Sequence, residues 1–288
     1  MFRLIKKGST SVKVSRLGAE LKSMNVGGEE LIWQPDTSIW AGSAPILFPF
    51  VGRLKGKEYY YAGKRYKMPI HGFARRCFFD VEDVQESSVK MSLKDDDETI
   101  MIYPFNFKLE VVFTVVNERK LNIDYTVLNY GSKEMFFSLG SHPGYTLPPN
   151  NSSLDNYYIE FDQSETLIPY KLVNNEYLVK QDRPYLSDEK IIRLHDHIFD
   201  EDALIFTGVK SRYIYLKNDK TGRVIKMFID KATDLGIWAK PGAPYVCVEP
   251  WFGHDDLESA SGKIEEKQGI IRLGAGREFT TGYSIELL

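Results

Sequence analysis

The sequence predicts an all-β protein of antiparallel strands, and three observations carry that prediction. Several stretches alternate apolar and polar side chains with period two. Clusters of Asn, Asp, Gly and Pro separate them. Amphipathic helix patterns are scarce. The 17 Tyr, 17 Phe and 4 Trp fit strands better than helices. With no strand–helix–strand rhythm, many short strands fold into a sandwich or barrel.

Taken in chain order, Val26-Gly27-Gly28 marks an early turn. Val89, Met91 and Leu93 form an apolar stripe. Asp95-Asp96-Asp97-Glu98 lacks calcium-loop spacing and reads as a solvated hairpin tip. Leu109, Val111, Phe113 and Val115 form the next stripe, and residues 121–127 alternate from Leu121 to Val127. Asn129-Tyr130-Gly131-Ser132, residues 217–222 and residues 240–244 read as turns, because their residue types tolerate or preset turn angles. Tyr283, Ile285 and Leu287 close the chain with a last stripe. Residues 147–153, rich in Pro, Asn and Ser, are the one candidate boundary. Strand patterning is the same on both sides, so the expectation is a single domain over 1–288 with a long loop.

A chain of 288 residues buries a substantial core without staples. Its 37 basic and 40 acidic side chains give a net charge of −3, and the basic ones are scattered. Phosphate backbones demand a concentrated basic surface, so no nucleic-acid partner is expected. The partner implied is small and roughly neutral. Cys77 and Cys247 match no zinc spacing and read as reduced, buried thiols. Residues 1–18 lack the apolar run of a signal peptide, and no stretch approaches the ~20 apolar residues of a membrane span. The expected location is cytoplasmic.

Five histidines give few candidates for proton transfer. His71 and His142 each lie among Gly and Pro at the end of an apolar run, where a loop side chain can reach a cleft. Singly, each reads better as a structural histidine bonded to backbone; the shared context favours function. Glu249 sits between Val248 and Pro250-Trp251. A carboxylate in so apolar a stretch is paired, protonated or functional. Its raised pKa suits a general base, and a buried ion pair is the equal alternative. Trp251 either stacks on the apolar face of a sugar or packs in the core. Arg53, in a glycine-rich apolar run, either donates to hydroxyls or faces solvent from a turn. Arg75 either does the same or grips a phosphate with two hydrogen bonds. Arg76 reads as surface.

Other patterns are weak. His195-Asp196-His197 has too few ligands for a metal, and solvent exposure explains it better. Gly274-Ala275-Gly276 lacks the strand–helix context of a dinucleotide site. Asn151-Ser152-Ser153 matches a glycosylation sequon without a secretory context.

An ordered set of segments resembles the aldose 1-epimerase (galactose mutarotase) family, in its LacX-type branch, over nearly the whole chain. Phe48-Pro49 with Gly52-Arg53 is similar to the family's arginine segment. His71-Gly72-Phe73-Ala74-Arg75 and Ser141-His142-Pro143 are similar to its two histidine segments. Residues 202–206, from Asp202 to Phe206, are similar to its aspartate segment. Residues 235–238 followed by Val248-Glu249-Pro250-Trp251 are similar to its glutamate segment. The resemblance implies an antiparallel β-supersandwich with few short helices, an open sugar cleft, and no metal or organic cofactor. It implies Glu249 as base and His142 as acid, with His71, Arg53 and Asp202 on the hydroxyls. Asp200 is the alternative to Asp202, since two residues earlier on a strand shares its face. Pro250-Trp251 stands where the galactose-specific branch carries a polar amide, which leaves the sugar open.

The reaction so implied interconverts α and β anomers of a free aldohexose by ring opening, with a monomer or homodimer as the working unit. The pair must begin as carboxylate and imidazolium, giving a bell-shaped pH profile. A hexose-6-phosphate mutarotase is the second reading and needs several cations at the cleft. A non-catalytic sugar-binding protein is the third.

Overall fold

The computed structural model describes residues 2–148 and 153–288. Two large antiparallel sheets dominate. The nine-stranded sheet runs in the order Leu186–Arg193, Tyr157–Leu167, Tyr213–Asn218, Val224–Phe228, Glu278–Leu287, Lys120–Asn129, Phe107–Asn117, Ser88–Lys94, Asp80–Val84. The eight-stranded sheet runs Tyr177–Lys180, Tyr170–Val173, Leu204–Phe206, Asp234–Trp238, Tyr245–Phe252, Leu139–Ser141, Ile46–Leu47, with Gly144–Thr146 also pairing to Tyr245–Phe252. A four-stranded sheet is built from residues 2–30.

The period-two stripes become the centre of the larger sheet. Phe107–Asn117 alternates buried and partly exposed residues, and its register sets Val111 opposite Tyr125 and Phe113 opposite Ile123. Such pairing puts Leu109, Val111, Phe113 and Val115 on one face with Leu121, Ile123, Tyr125 and Val127, where burying each Val, Ile or Phe stabilises by about 1.5–3 kcal/mol. One hydrophobic cluster reaches from Ile5 to Leu287 and draws on both large sheets. A second, smaller one gathers Leu47, Val51, Tyr170, Leu178, Ile205 and Trp251.

The predicted turns hold. Gly27 and Gly28, both at positive φ, join Leu21–Val26 to Glu29–Glu30. The side-chain carbonyl of Asn218 accepts from the backbone of Lys220 and Thr221. One expectation fails: Asp95–Glu98 is no hairpin tip. Asp96 accepts from the Thr99 backbone N–H while the Thr99 hydroxyl accepts from the Asp96 backbone, a capping box that starts the α-helix Asp97–Ile102. Asp97 and Glu98 then favour the positive end of that helix. Of the loop at 147–153, residues 149–152 lie outside the described residues, as does most of the sequon. His195 and His197 are exposed, and Cys77 and Cys247 are free thiols. Among the described residues no helix is long and apolar enough to cross a membrane.

Tyr245–Phe252 is the exception to alternation. Seven of its eight residues are buried. Strands pair on both of its edges, and both of its faces are covered. Cys247, Glu249 and Trp251 share one face of it.

Candidate active site

A cleft of about 680 Å³ opens over that face. Glu249 and Trp251 come from Tyr245–Phe252, Trp238 from its neighbour, and Ile205 and Leu172 from strands farther along the same sheet. Loops supply Trp40, Arg53, His71, His142, Asp202 and Asp255, and the 3-10 turn Ala74–Arg76 supplies Arg75. All seven residues singled out from the sequence therefore meet in one place.

At the floor, His142 Nδ1 lies 3.3 Å from Glu249 Oε2, with side chains 12% and 2% exposed. Trp40 stacks on His142 at 5.0 Å, and Trp238 meets it edge-on at 5.8 Å. This apolar housing sets the charges. Burial drives the Glu249 carboxyl well above its usual range; the nearby Trp251 N–H pulls it down by less, and the charges of Asp255 and Asp202 add to the rise. Burial pushes His142 down to about 3; its own backbone hydrogen bond opposes this, and the charge of Arg75 reinforces it. Burial thus favours the uncharged forms, a carboxylic acid beside a neutral imidazole. The expected starting pair of carboxylate and imidazolium differs from this. Both arrangements hold one proton, and desolvation favours the one without separated charges.

His71 is fixed by a reciprocal clamp. Its backbone N–H donates to Gly52 O at 2.8 Å, and the Gly52 N–H donates to His71 Nδ1 at 3.0 Å. Nδ1 is therefore an acceptor, the ring proton sits on Nε2, and burial keeps the ring neutral, with the charges of the two cleft arginines adding to this. The clamp requires φ of 63° at His71, and Gly72 follows at 69° because a Cβ there would meet Phe48 O at 2.2 Å.

Arg53 is held from two sides. Its Nη1 donates to Asp255 Oδ1 at 3.1 Å, its Nη2 lies 3.5 Å from Asp202 Oδ2, and its Nε donates to Asn175 Oδ1 at 2.9 Å. Asp255 also accepts from the Arg53 backbone N–H. Gly52 makes room for it, since a Cβ there would overlap the Asp255 carboxylate. Arg75 gives Nη2 to Ile70 O at 3.0 Å, leaves its buried Nε without a partner, and makes no ion pair among the described residues.

Asp202 and Asp200 both line the cleft, but on a turn, not a strand. The shared-face argument for Asp200 therefore lapses. Asp202 engages Arg53, whereas Asp200 pairs with exposed His197 at 3.0 Å. Trp251 is 3% exposed and wedged between strands: a Cβ on Gly236 or Gly140 would strike its ring at 2.5 or 2.7 Å. The more open indoles are Trp40 and Trp238. Sequence reasoning missed these two and Asp255. A usable signal existed for Asp255, one of two adjacent acids just beyond the Glu249 strand. None existed for Trp40.

The fold and this cleft define a carbohydrate epimerase of the mutarotase type. The sequence profile of the aldose 1-epimerase family matches residues 1–270. Protein LacX of Lactococcus lactis subsp. lactis, in its plasmid form, is 30% identical over 282 residues, 93% of this chain and 93% of its own. A galactose mutarotase related enzyme from Lactobacillus acidophilus is 34% identical and superposes with a TM-score of 0.93 over 100% of this chain and 97% of that one. A galactose mutarotase-like protein from Lactobacillus casei ATCC 334 is 27% identical, with a TM-score of 0.91 over 100% of both chains. The chain belongs to the aldose 1-epimerase family.

Proposed function

We propose that Glu249 and His142 interconvert the anomers of a free, unphosphorylated aldohexose, with Arg53, Asp202, His71, Arg75 and the cleft indoles binding its hydroxyls and apolar face. The supporting observation is the 3.3 Å pair itself. The anomeric hydroxyl and the ring oxygen are both bonded to C1, so the two protons to be moved lie close together.

On binding, the shared proton passes from Glu249 to His142. Glu249 then takes the proton of the anomeric hydroxyl as His142 protonates the ring oxygen, and the C1–O bond breaks. Rotation about C1–C2 presents the other face of the aldehyde, and reclosure reverses both transfers. The pair after ring opening is again acid and neutral imidazole, the arrangement burial favours. Each positioned transfer contributes ~10²–10⁴-fold.

The charge of the cleft supports a neutral substrate. Asp200, Glu201, Asp202 and Asp255 line it, against Arg53 and Arg75, and Arg53 is already committed to two carboxylates. A phosphate would find only Arg75 free of an acid. The continuous hydrophobic cluster supports one domain, and a cytoplasmic monomer or homodimer remains the expected setting. Polarimetry on fresh α-D-glucose, α-D-galactose and α-glucose 6-phosphate tests this. The expected result is faster mutarotation of a free sugar, lost in Glu249→Gln. Faster mutarotation of the phosphate alone would install the second reading, and binding without acceleration the third.

A further inference from the structure

Two atoms of the acid–base pair, His142 Nδ1 and Glu249 Oε2, are buried without an aligned hydrogen bond. Glu249 is only 1% exposed. Buried polar atoms in native proteins are nearly always satisfied, so such a pair marks a place that something else fills. During turnover the sugar's oxygens fill it. A third donor stands beside them that the reaction does not use. Cys247 precedes Glu249 by two residues on one strand and so shares its face. Cys247 Sγ, a ring nitrogen of His142 and a Glu249 carboxylate oxygen lie within 4.8 Å of one another. The thiol is free and fully buried.

One nitrogen, one sulfur and one oxygen make a ligand set suited to zinc and softer dications. Tetrahedral zinc binds N and O at about 2.0–2.2 Å, which places those two ligands about 3.3–3.5 Å apart. The His142–Glu249 separation is 3.3 Å without any movement. Zinc–sulfur bonds of about 2.3 Å require the sulfur about 3.6 Å from each, an approach of about 1 Å that a small side-chain rotation supplies. His142 and Glu249 line the cleft, which gives the ion a way in.

We infer that His142, Cys247 and Glu249 form an inhibitory site for a thiophilic dication of the zinc class, which silences the enzyme by capturing its acid and its base together. Binding one dication releases two protons, one from the thiol and one shared by the pair. The ion is no cofactor: the atoms that bind it are those that must move protons. Inhibition rests on the proposed roles of Glu249 and His142; the metal site does not.

Cobalt(II) is the probe, because a cobalt–thiolate bond gives a charge-transfer absorption. The intact chain should develop that band, and zinc should displace it. Zinc at ten times its dissociation constant should slow mutarotation about tenfold. Cys247→Ser and Cys247→Ala should lose the band and need at least about 10–100-fold more zinc for the same inhibition, with metal-free turnover retained. Cys77→Ser should keep the band. No band with millimolar cobalt overturns the proposal, as does a band lost in Cys77→Ser but kept in both Cys247 variants. So does zinc inhibition undiminished in those variants. A Cys247-dependent band in a protein that turns over no sugar would keep the metal site and discard the mutarotase reading.

Discussion

Two strands of similar length show how this fold divides its labour. Lys120–Asn129 alternates: Leu121, Ile123, Tyr125 and Val127 are buried, and Asp124 between them is exposed. Tyr245–Phe252 does not alternate, and there a carboxylate lies inside with the hydrophobics. In the first strand a polar residue costs little because it faces water. In the second, burial that would ordinarily expel an acid instead holds it protonated beside an imidazole. One strand supplies stability, and the other holds the proposed base at the expense of stability.

Substitutions can break or sharpen that contrast. The largest effect should come from Glu249→Gln, which removes the proton acceptor while matching its shape. The rate should fall by ~10²–10⁴-fold, and thermal melting should be no lower, since an amide suits an apolar site at least as well as an acid. A lower melting temperature would mean that Glu249 holds the fold together instead. Ile123→Ala should do the opposite. It should cost about 2–5 kcal/mol in denaturant unfolding with the rate per folded molecule unchanged.

Gly236→Ala tests the wedge beneath Trp251. A methyl group 2.5 Å from the ring must displace it, at about 1–3 kcal/mol by calorimetry, with weaker sugar binding alongside. Asp255→Asn should raise KM about tenfold by releasing Arg53 from a charged hydrogen bond. It should also move the alkaline limb of the pH profile to lower pH, because the Asp255 charge helps hold the Glu249 proton. The limbs of the wild-type profile report gain and loss of a proton by the pair. The acid limb should lie near 3, and the alkaline limb well above the usual carboxylate range. Asp200→Asn, on the solvated rim, should change stability by less than about 0.5 kcal/mol.

Much of this was legible because period two is a strong signal and because turn residues state their geometry. The stripes at 109–115, 121–127 and 283–287 appear in the structure as expected. The Asp95–Glu98 segment misled because four acids look solvated whether they tip a hairpin or open a helix; the deciding residue was Thr99. Glu249 and His142 were visible as polar residues in apolar company. Their distance was not, since 107 residues separate them. Their protonation was hidden too, because it depends on the indoles of Trp40 and Trp238, brought in by other segments. Asp255 was hidden for a related reason: its role lies in what it does to Arg53.

The aromatic housing of the pair also makes the site visible to light. The chain has four tryptophans. Trp40, Trp238 and Trp251 line the cleft, and Trp33 gives its indole N–H to Trp40 O and packs 4.8 Å from Tyr245. The tryptophan emission of the protein therefore comes from the cleft and the indole that supports it. A sugar entering the cleft, a dication on its floor or a charge appearing on His142, stacked against Trp40, would each register without an added dye.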